Sequence, residues 1–262
     1  MNILIPMAGA GSRFQSAGYT FPKPLVEVTN GKPMIQEIVE NLNAPDCKHI
    51  FVVQQEHYDR YALKYLLNLI SPKCEIVIIN EMTEGAACTT LLARALINTD
   101  EPLIIANSDQ IVRWPTKYDI VGTDSLLLAG GTEPGSVLES LTNIGDGTIY
   151  TFHATHPKWS FARLTNSMQV LEVAEKRPIS RTATVGIYHW GKGSDYVKYA
   201  EQMIDKKVRV NGEFYVCPVY NEAIQDGKYI KAVDVPGMWG IGTPEDLNKY
   251  LSANENHSNP GR

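Results

Sequence analysis

Short apolar runs alternate with helix-like spacing through the first half of the chain. Each run holds four to six mainly aliphatic residues at successive positions, which is typical of strands buried on both faces of a parallel sheet. Between the runs, apolar residues recur at helical spacing, and Met34, Ile38 and Leu42 form one such stripe. The predicted strands are 2–6, 49–53, 74–79, 103–106 and 125–129, and the predicted helices are 33–42, 58–70 and 86–97.

The second half has a different pattern of predicted elements. Strand-like segments at 148–154, 161–164, 169–174 and 184–189 follow one another through short turns, and helical patterns return at 194–206, 212–225 and 244–251. No linker rich in Pro, Ser or Gly separates the halves. We therefore predict one α/β domain over 1–251, with its halves at about 1–130 and 131–251, and a disordered polar tail at 252–262.

This order of elements predicts a Rossmann-like fold, with a mostly parallel mixed sheet, helices on both faces and a smaller antiparallel extension laid over the first half. Sheets of this kind bind ligands at the carboxyl ends of their strands. The loops that follow the predicted strands are therefore the segments in which to look for chemistry.

Composition narrows the classes of partner. The 262 residues include 24 Lys and Arg against 29 Asp and Glu, for a net charge of -5, so we expect no nucleic-acid partner. No apolar run approaches the ~20 residues of a membrane span, so we expect no membrane partner either. The four cysteines lie far apart without a C-x-x-C pair, which predicts reduced thiols and a cytoplasmic protein.

A glycine-rich loop follows the first strand directly, with the sequence MAGAGSRF. Small residues let backbone N–H groups approach a phosphate chain, and Arg13 adds a charged fork. The loop is not a dinucleotide fingerprint, because Phe14 stands where the third glycine belongs, and no G-K-[ST] follows. Downstream, Lys23 lies between two prolines, which stiffen the backbone that presents its ammonium group.

The pair GAGSRF and PKP resembles the opening signature of the sugar-phosphate nucleotidyltransferases, which join a nucleoside triphosphate to a sugar 1-phosphate. Within this family, the chain resembles the glucose-1-phosphate thymidylyltransferases. The resemblance extends over about 2–251 and implies a nucleotide-binding half followed by an acceptor-binding half. It implies Arg13, Lys23 and Asp109 as catalytic residues. The implied nucleotide-binding residues are Ala8, Gly9, Ala10, Gly11, Ser12, Arg13, Lys23, Asn80 and Gly85, and the implied acceptor-binding residues are Lys176, Gly186 and Glu213.

The same resemblance implies Mg²⁺ as cofactor, held by Asp109 after the fourth strand. A carboxylate directly after a buried strand lies at the ligand-binding edge of such a sheet. The family often ends in W-x-D-x-G-T, whose aspartate is a second magnesium ligand, but this chain has Gly240 at that position. Either Asp109 holds the ion with phosphates and water, or another carboxylate such as Asp234 replaces the missing ligand.

The expected reaction transfers a nucleoside monophosphate from a triphosphate to a sugar 1-phosphate or similar small phosphorylated acceptor, with release of pyrophosphate, for surface polysaccharide or related biosynthesis. The amide of Asn80 favours a pyrimidine triphosphate (CTP, UTP or dTTP). One alternative is a cytidylyltransferase for a non-sugar phosphate such as phosphocholine or a phosphorylated amide. The others are a nucleotide-sugar-dependent glycosyltransferase, although the sequence has no D-x-D, and a non-catalytic nucleotide-binding regulator. The sequence leaves the oligomeric state open, a homo-oligomer included.

Overall fold

The fold is built on a central sheet. The computed structural model describes residues 1–115 and 145–255. The strands are β1 Asn2–Pro6, β2 Lys48–Gln54, β3 Glu75–Ile79, β4 Leu103–Ala106, β5 Gln110–Arg113, β6 Gly147–His153, β7 Ser160–Leu164, β8 Val170–Glu175, β9 Thr182–Trp190, β10 Ile230–Asp234 and β11 Gly237–Gly240. The strand order in the central sheet is β10-β6-β9-β4-β1-β2-β3.

Helices follow the strands of the first half and return near the end of the chain. They are α1 Ser12–Ser16, α2 Met34–Leu42, α3 Gln55–Arg60, α4 Leu63–Ile70, α5 Ala86–Leu91, α6 Arg94–Ile97, α7 Gly193–Asp205, α8 Val219–Gln225 and α9 Pro244–Glu255, with a single 3₁₀ turn at Lys23–Leu25. This arrangement confirms the predicted mixed α/β fold class.

Parallel pairing dominates the sheet, as the apolar runs predict. β1 pairs in parallel with β2 and β4, β2 with β3, and β10 with β6. Alternate residues of one strand face opposite cores: Ile3 and Ile5 join one cluster of buried side chains, whereas Leu4 joins the other. Both faces of the sheet are therefore covered, which explains the unbroken apolar runs at 3–5, 50–53 and 103–106.

The second half continues the sheet edge to edge, whereas the sequence predicted an extension laid over the first half. β9 is antiparallel to both β4 and β6 and so joins the two halves. β7 and β8 form a hairpin attached to β9 through the Phe161–Ala183 pair. β11 and β5 make a separate two-stranded antiparallel sheet. Because β9 pairs directly with β4, side chains from both halves reach the same edge.

Several predicted helices are shorter than expected. The predicted helix 58–70 is two helices, because Ala62 adopts a left-handed conformation (φ 49°) between α3 and α4. The predicted helix 86–97 likewise divides into α5 and α6. The prediction of a helix over 212–225 is wrong in its first half, since only Val219–Gln225 is helical and Gly212 has a φ of 83°.

The predicted tail at 252–262 and the predicted strand at 125–129 fall partly or wholly outside the described residues. Residues 252–255, predicted to begin the tail, continue α9 to Glu255, and 256–262 lie outside the described residues. The predicted strand at 125–129 also lies outside them. The sequence missed β5, β10 and β11, which have four or five residues each and are too short to show a clear alternation.

Two buried histidines predict that acid destabilises the fold. Burial lowers the pKa of His49 and of His189 to about 4 in each case. The unfolded chain binds a proton at each histidine near pH 6.5, so acidification from pH 7 to pH 5 favours unfolding by about 2 kcal/mol per histidine. Urea unfolding over this pH range should show a shallower pH dependence of the free energy of unfolding for His189→Leu than for the wild-type protein. Equal pH dependences for the two proteins would contradict this account.

Candidate functional site

The loop after β1 packs closely against the segment that carries Lys23. Gly11 adopts a left-handed conformation (φ 62°), and a Cβ there would stand 3.2 Å from the Cβ of Lys23. α1 begins at the next residue, and its Phe14 is fully buried with its ring edge-on to Tyr19 at 5.1 Å. The glycine therefore allows the close contact, and the buried aromatic ring anchors the loop.

An ion pair joins this region to the end of β4. The Lys23 Nζ donates to the Asp109 Oδ2 at 2.8 Å, and the two side chains are 19% and 24% exposed. β1 and β4 are adjacent parallel strands, so the segments that follow them meet at the carboxyl edge of the sheet. Two side chains predicted to be catalytic are thus brought into direct contact.

A first cavity, here called the lysine cavity, has a volume of about 390 Å³ and extends from Lys23 towards the second half. Asp109 and Glu213 line it, and Ala86, the first residue of α5, contributes one wall. The other residues around it are Pro6, Gly9, Asn107, Ser108, Ser160, Glu175, Tyr188, Tyr215, Val216 and Cys217. It therefore combines the ends of β1 and β4 with the segment before α8.

A second cavity, the tryptophan cavity, has a volume of about 200 Å³ and lies against Trp159. Arg13, Asp109 and Gly186 line it, so it collects predicted nucleotide and acceptor residues together. The two cavities share Asn107, Asp109, Ser160, Glu175 and Tyr188. They are neighbouring compartments on either side of Asp109.

Glu175 lies between the two compartments. Burial raises the pKa of its carboxyl group, while the hydrogen bond from Ser160 Oγ at 2.5 Å and the charge of Lys176 act in the opposite direction. Lys176 donates to the hydroxyl of Tyr215 and lies 4.3 Å from the centre of its ring. Burial, the hydrogen bond to Glu213 and the charge of Glu175 raise the pKa of this tyrosine, whereas the charge of Arg13 acts in the opposite direction. Tyr215 therefore lies among both cations and carboxylates.

Two predicted glycines are required by their surroundings. A Cβ at Gly186 would stand 1.7 Å from the Gln110 Oε1, and its φ is 75°. A Cβ at Gly85 would stand 2.4 Å from the carbonyl oxygen of Phe214, and its φ is 128°. Gly85 thus lets the start of α5 pack onto the segment that holds Glu213 and Tyr215, where Ala87 N donates to Phe214 O at 3.0 Å.

Some predicted residues are not brought together with the others. Asn80 is exposed beyond β3, and it is absent from the described residues that line either cavity. Ala8 is buried beneath the loop, and Ser12 is exposed. Ala10 faces a third cavity of about 270 Å³, together with Gln54 and Met82.

Gly240 and Gly242 have different close neighbours. A Cβ at Gly240 would stand 2.6 Å from the six-membered ring of Trp159, and a Cβ at Gly242 would stand 2.5 Å from the Asp109 Oδ2. The indole therefore fills the space that a side chain at position 240 would enter. Gly242 leaves room for the carboxylate of Asp109.

Asp234, the alternative carboxylate, lies on a strand that is not adjacent to β4. It ends β10, where it accepts a hydrogen bond from Thr151 of β6. Three strand spacings separate β10 from β4, which is about 14 Å. Within the described residues, no group of three or more His, Cys, Asp or Glu side chains is arranged to hold a metal ion. Asp109 is a hard oxygen ligand at an open cavity and fits Mg²⁺ as a single protein carboxylate beside phosphate oxygens.

The site includes residues for which the sequence offered only weak signals. Tyr215 lies two positions after Glu213, but it falls in a segment predicted to be helical. Lys158 lies 4.6 Å from the Trp159 ring and pairs with Asp246 at 3.0 Å. Asp246 belongs to α9, so only the fold brings this helix to Lys158. None of the described helices is long and apolar enough to span a bilayer.

Comparison with known proteins places the site in context. The family model described as "Nucleotidyl transferase" matches residues 3–120. A mannose-1-phosphate guanyltransferase of Hypocrea jecorina is 32% identical over 124 residues, covering 45% of this chain and 32% of that protein. The same-named protein of Schizosaccharomyces pombe is 26% identical over 274 residues, covering 98% of this chain and 66% of that protein. The chain thus spans about one third of the length of the first of these relatives.

A solved structure resembles the whole fold. The nucleoside-diphosphate-sugar pyrophosphorylase from Vibrio cholerae RC9 superposes with a TM-score of 0.75 at 25% sequence identity. The superposition covers 95% of this chain and 99% of that one. The likeness therefore includes both halves of the sheet.

Proposed function

Because this chain belongs to the sugar-phosphate nucleotidyltransferase family, we propose that it transfers a nucleoside monophosphate to a sugar 1-phosphate and releases pyrophosphate. The observation that carries this proposal is the Lys23–Asp109 pair between two neighbouring cavities. One compartment accommodates the triphosphate and the other the acceptor, so that the two phosphates meet beside Lys23 and Asp109.

The reaction is an in-line displacement at phosphorus. An oxygen of the acceptor phosphate attacks the α-phosphorus, and the bond from that phosphorus to the bridging oxygen breaks, so pyrophosphate leaves with the electron pair. The acceptor phosphate is already ionised at pH 7, so no protein nucleophile or base is required. Catalysis then consists of positioning and of neutralising charge.

The side chains at the site divide this work. The N–H groups of the loop 9–12, together with Arg13, hold the β- and γ-phosphates at the end of β1. Lys23 donates to the α-phosphate, whose charge is most concentrated when five oxygens surround the phosphorus. Lys176 reduces the repulsion between the two anions, Gly186 allows close approach of the acceptor, and Glu213 accepts from an acceptor hydroxyl.

Magnesium is the cofactor we propose, with Asp109 as its protein ligand. When bound, the ion would offset the negative charge of the phosphates. The Trp159 indole occupies the space that a carboxylate side chain at position 240 would need. Most of the coordination would then come from phosphate oxygens and water.

The base remains the variable part of the proposal. The amide of Asn80 favours a pyrimidine triphosphate, but uracil, thymine and guanine all present an N–H donor beside a carbonyl acceptor, and an amide matches that edge in each case. The relatives named as guanyltransferases favour GTP as the second candidate. Both candidates place the base at the loop 80–85, beside the start of α5.

The setting we propose is the cytoplasm, in the synthesis of surface polysaccharide or related material. Cys47, Cys74, Cys88 and Cys217 carry no disulfide, which suits a reducing compartment. A phosphorylated alcohol or amide is the second acceptor class. Gly240, which lines the tryptophan cavity, departs from the W-x-D-x-G-T pattern of the enzymes that act on sugar phosphates. The partners are therefore a nucleoside triphosphate and a small phosphate ester.

One experiment tests the function and its specificity together. Pyrophosphate release is measured for CTP, UTP, dTTP, ATP and GTP against hexose 1-phosphates, phosphocholine and a phosphorylated amide. We expect one triphosphate to dominate, because a site built to hydrogen-bond one base edge penalises a base that leaves it unpaired. A pyrimidine optimum supports reading by Asn80, and a GTP optimum supports the second candidate. Equal use of all five triphosphates would show that the loop 80–85 does not read the base.

Lys23→Ala should lower kcat far more than it weakens binding of the triphosphate. Loss of one charged donor to the transition state corresponds to about 10²–10³ in rate, or ~2.7–4 kcal/mol. Lys192→Ala is the matched control, since that lysine pairs with Asp100 on the surface and lines neither cavity. Near-normal turnover of Lys23→Ala would remove this residue from the reaction.

The single-carboxylate site predicts coupled binding of metal and nucleotide. Calorimetric titration should show weak binding of Mn²⁺ to the protein alone and tighter binding once the nucleotide is present. Asp109→Asn should abolish the tight phase, whereas Asp234→Asn should leave it unchanged because that side chain bonds to Thr151 away from the site. Tight binding without nucleotide that disappears in Asp234→Asn would establish a two-carboxylate site instead.

A further inference from the structure

The side chain of Gln54 connects two loops of the site. Gln54 is the last residue of β2, which lies between β1 and β3 in the sheet. Its Nε2 donates to the carbonyl oxygen of Ala8 at 2.6 Å and to the Sδ of Met82 at 3.0 Å. One amide group thus bonds to the glycine-rich loop on one side and to the loop 80–85 on the other.

These bonds begin where backbone pairing ends. The parallel register of β1 and β2 stops at Pro6–Val52, and Met7 N still donates to Val52 O at 3.0 Å. The next residue, Ala8, is 3% exposed, so its carbonyl oxygen needs a donor from within the protein. A side-chain amide supplies that donor, and its orientation is fixed because both partners are acceptors.

The two loops face each other across a cavity at this point. Ala10, Gln54 and Met82 line this third cavity, of about 270 Å³. Other contacts anchor each loop separately: Phe14 is buried beneath the first, and Glu84 O in the second accepts from Phe214 N at 2.8 Å. Across the cavity, the bonds of Gln54 connect one loop to the other.

We propose that Gln54 is a positioning residue that fixes the glycine-rich loop relative to the loop 80–85 and thereby sets the width of the nucleotide site. Its kinetic consequence rests on the proposed function, because the first loop is assigned to the phosphates and the second to the base. Gln54 acts through Ala8 and Met82, so its loss should weaken nucleotide binding and leave the chemical step largely intact.

The isosteric change Gln54→Glu tests the proposal, because an ionised carboxylate cannot donate to either partner. Gln55→Glu is the matched control: the adjacent glutamine undergoes the same change, but its amide donates to Asp59 within α3 rather than to either loop. Met82→Leu removes one acceptor and keeps the other bond. Gln54→Leu removes the donor without adding charge.

Hydrogen exchange of the protein without ligand is the first measurement. Both Gln54 variants should exchange about tenfold faster in peptides covering 7–14 and 80–87, since an unpaired buried carbonyl costs on the order of one tenfold step in local stability. Met82→Leu should accelerate exchange only in 80–87, and Gln55→Glu in neither peptide. Wild-type exchange in both peptides of the Gln54 variants, or faster exchange confined to β2 and α3, would overturn the proposal.

Steady-state kinetics with UTP and with GTP is the second measurement. Gln54→Glu should raise the KM for the better triphosphate about tenfold and change kcat less than about threefold. Unchanged KM despite faster exchange would overturn the assignment of Gln54 to the nucleotide site. If the wild-type protein turns over no triphosphate, the proposed function fails, whereas the exchange data still decide whether Gln54 holds the two loops.

Discussion

The ion pair between Lys23 and Asp109 links the parts of the chain on which the site depends. Lys23 follows a loop that begins at the end of β1, and Asp109 follows β4, the next strand of the sheet. Opposite charges that are mostly removed from water attract more strongly than exposed ones. The pair therefore fixes two segments at one edge of the sheet. It also presents a cation and a carboxylate to the same space, so that the cation could bind a phosphate and the carboxylate a metal ion.

The two halves contribute to this edge because β9 pairs with β4. The antiparallel β9 follows the hairpin of β7 and β8, which carries Ser160 and Glu175 to the ion pair. Gly186 lies on β9, and the Gln110 side chain occupies the space that a Cβ at position 186 would need. The site is thus formed by the junction of parallel and antiparallel strands, and neither half holds it alone.

Small residues decide which groups meet around Asp109. Gly242 accommodates the carboxylate itself, and Gly240 accommodates the Trp159 indole. With a carboxylate at position 240, the indole could not occupy its present place. The departure from the family pattern at Gly240 is therefore matched by an aromatic ring, and the cavity beside it gains an apolar wall with the Lys158–Asp246 pair at its rim.

The sequence by itself determined the features that local patterns encode. Buried strands such as β1 and β4 can be recognised because both faces are covered, so each contains a run of successive apolar residues. The GAGSRF loop and Lys23 can be recognised because they lie close together in the chain. The prediction failed where local pattern and final environment differ: residues 212–218 have helical spacing but form an irregular segment that packs against α5.

Only the tertiary structure decided the contacts between distant residues. Lys23 and Asp109 are 86 positions apart, Trp159 meets Gly240 from another sheet, and Gln54 reaches Ala8 and Met82 from the strand between them. None of these pairs is set by the spacing of residues along the chain. They arise because β-strands distant in sequence become neighbours about 4.8 Å apart once hydrogen bonds order the sheet.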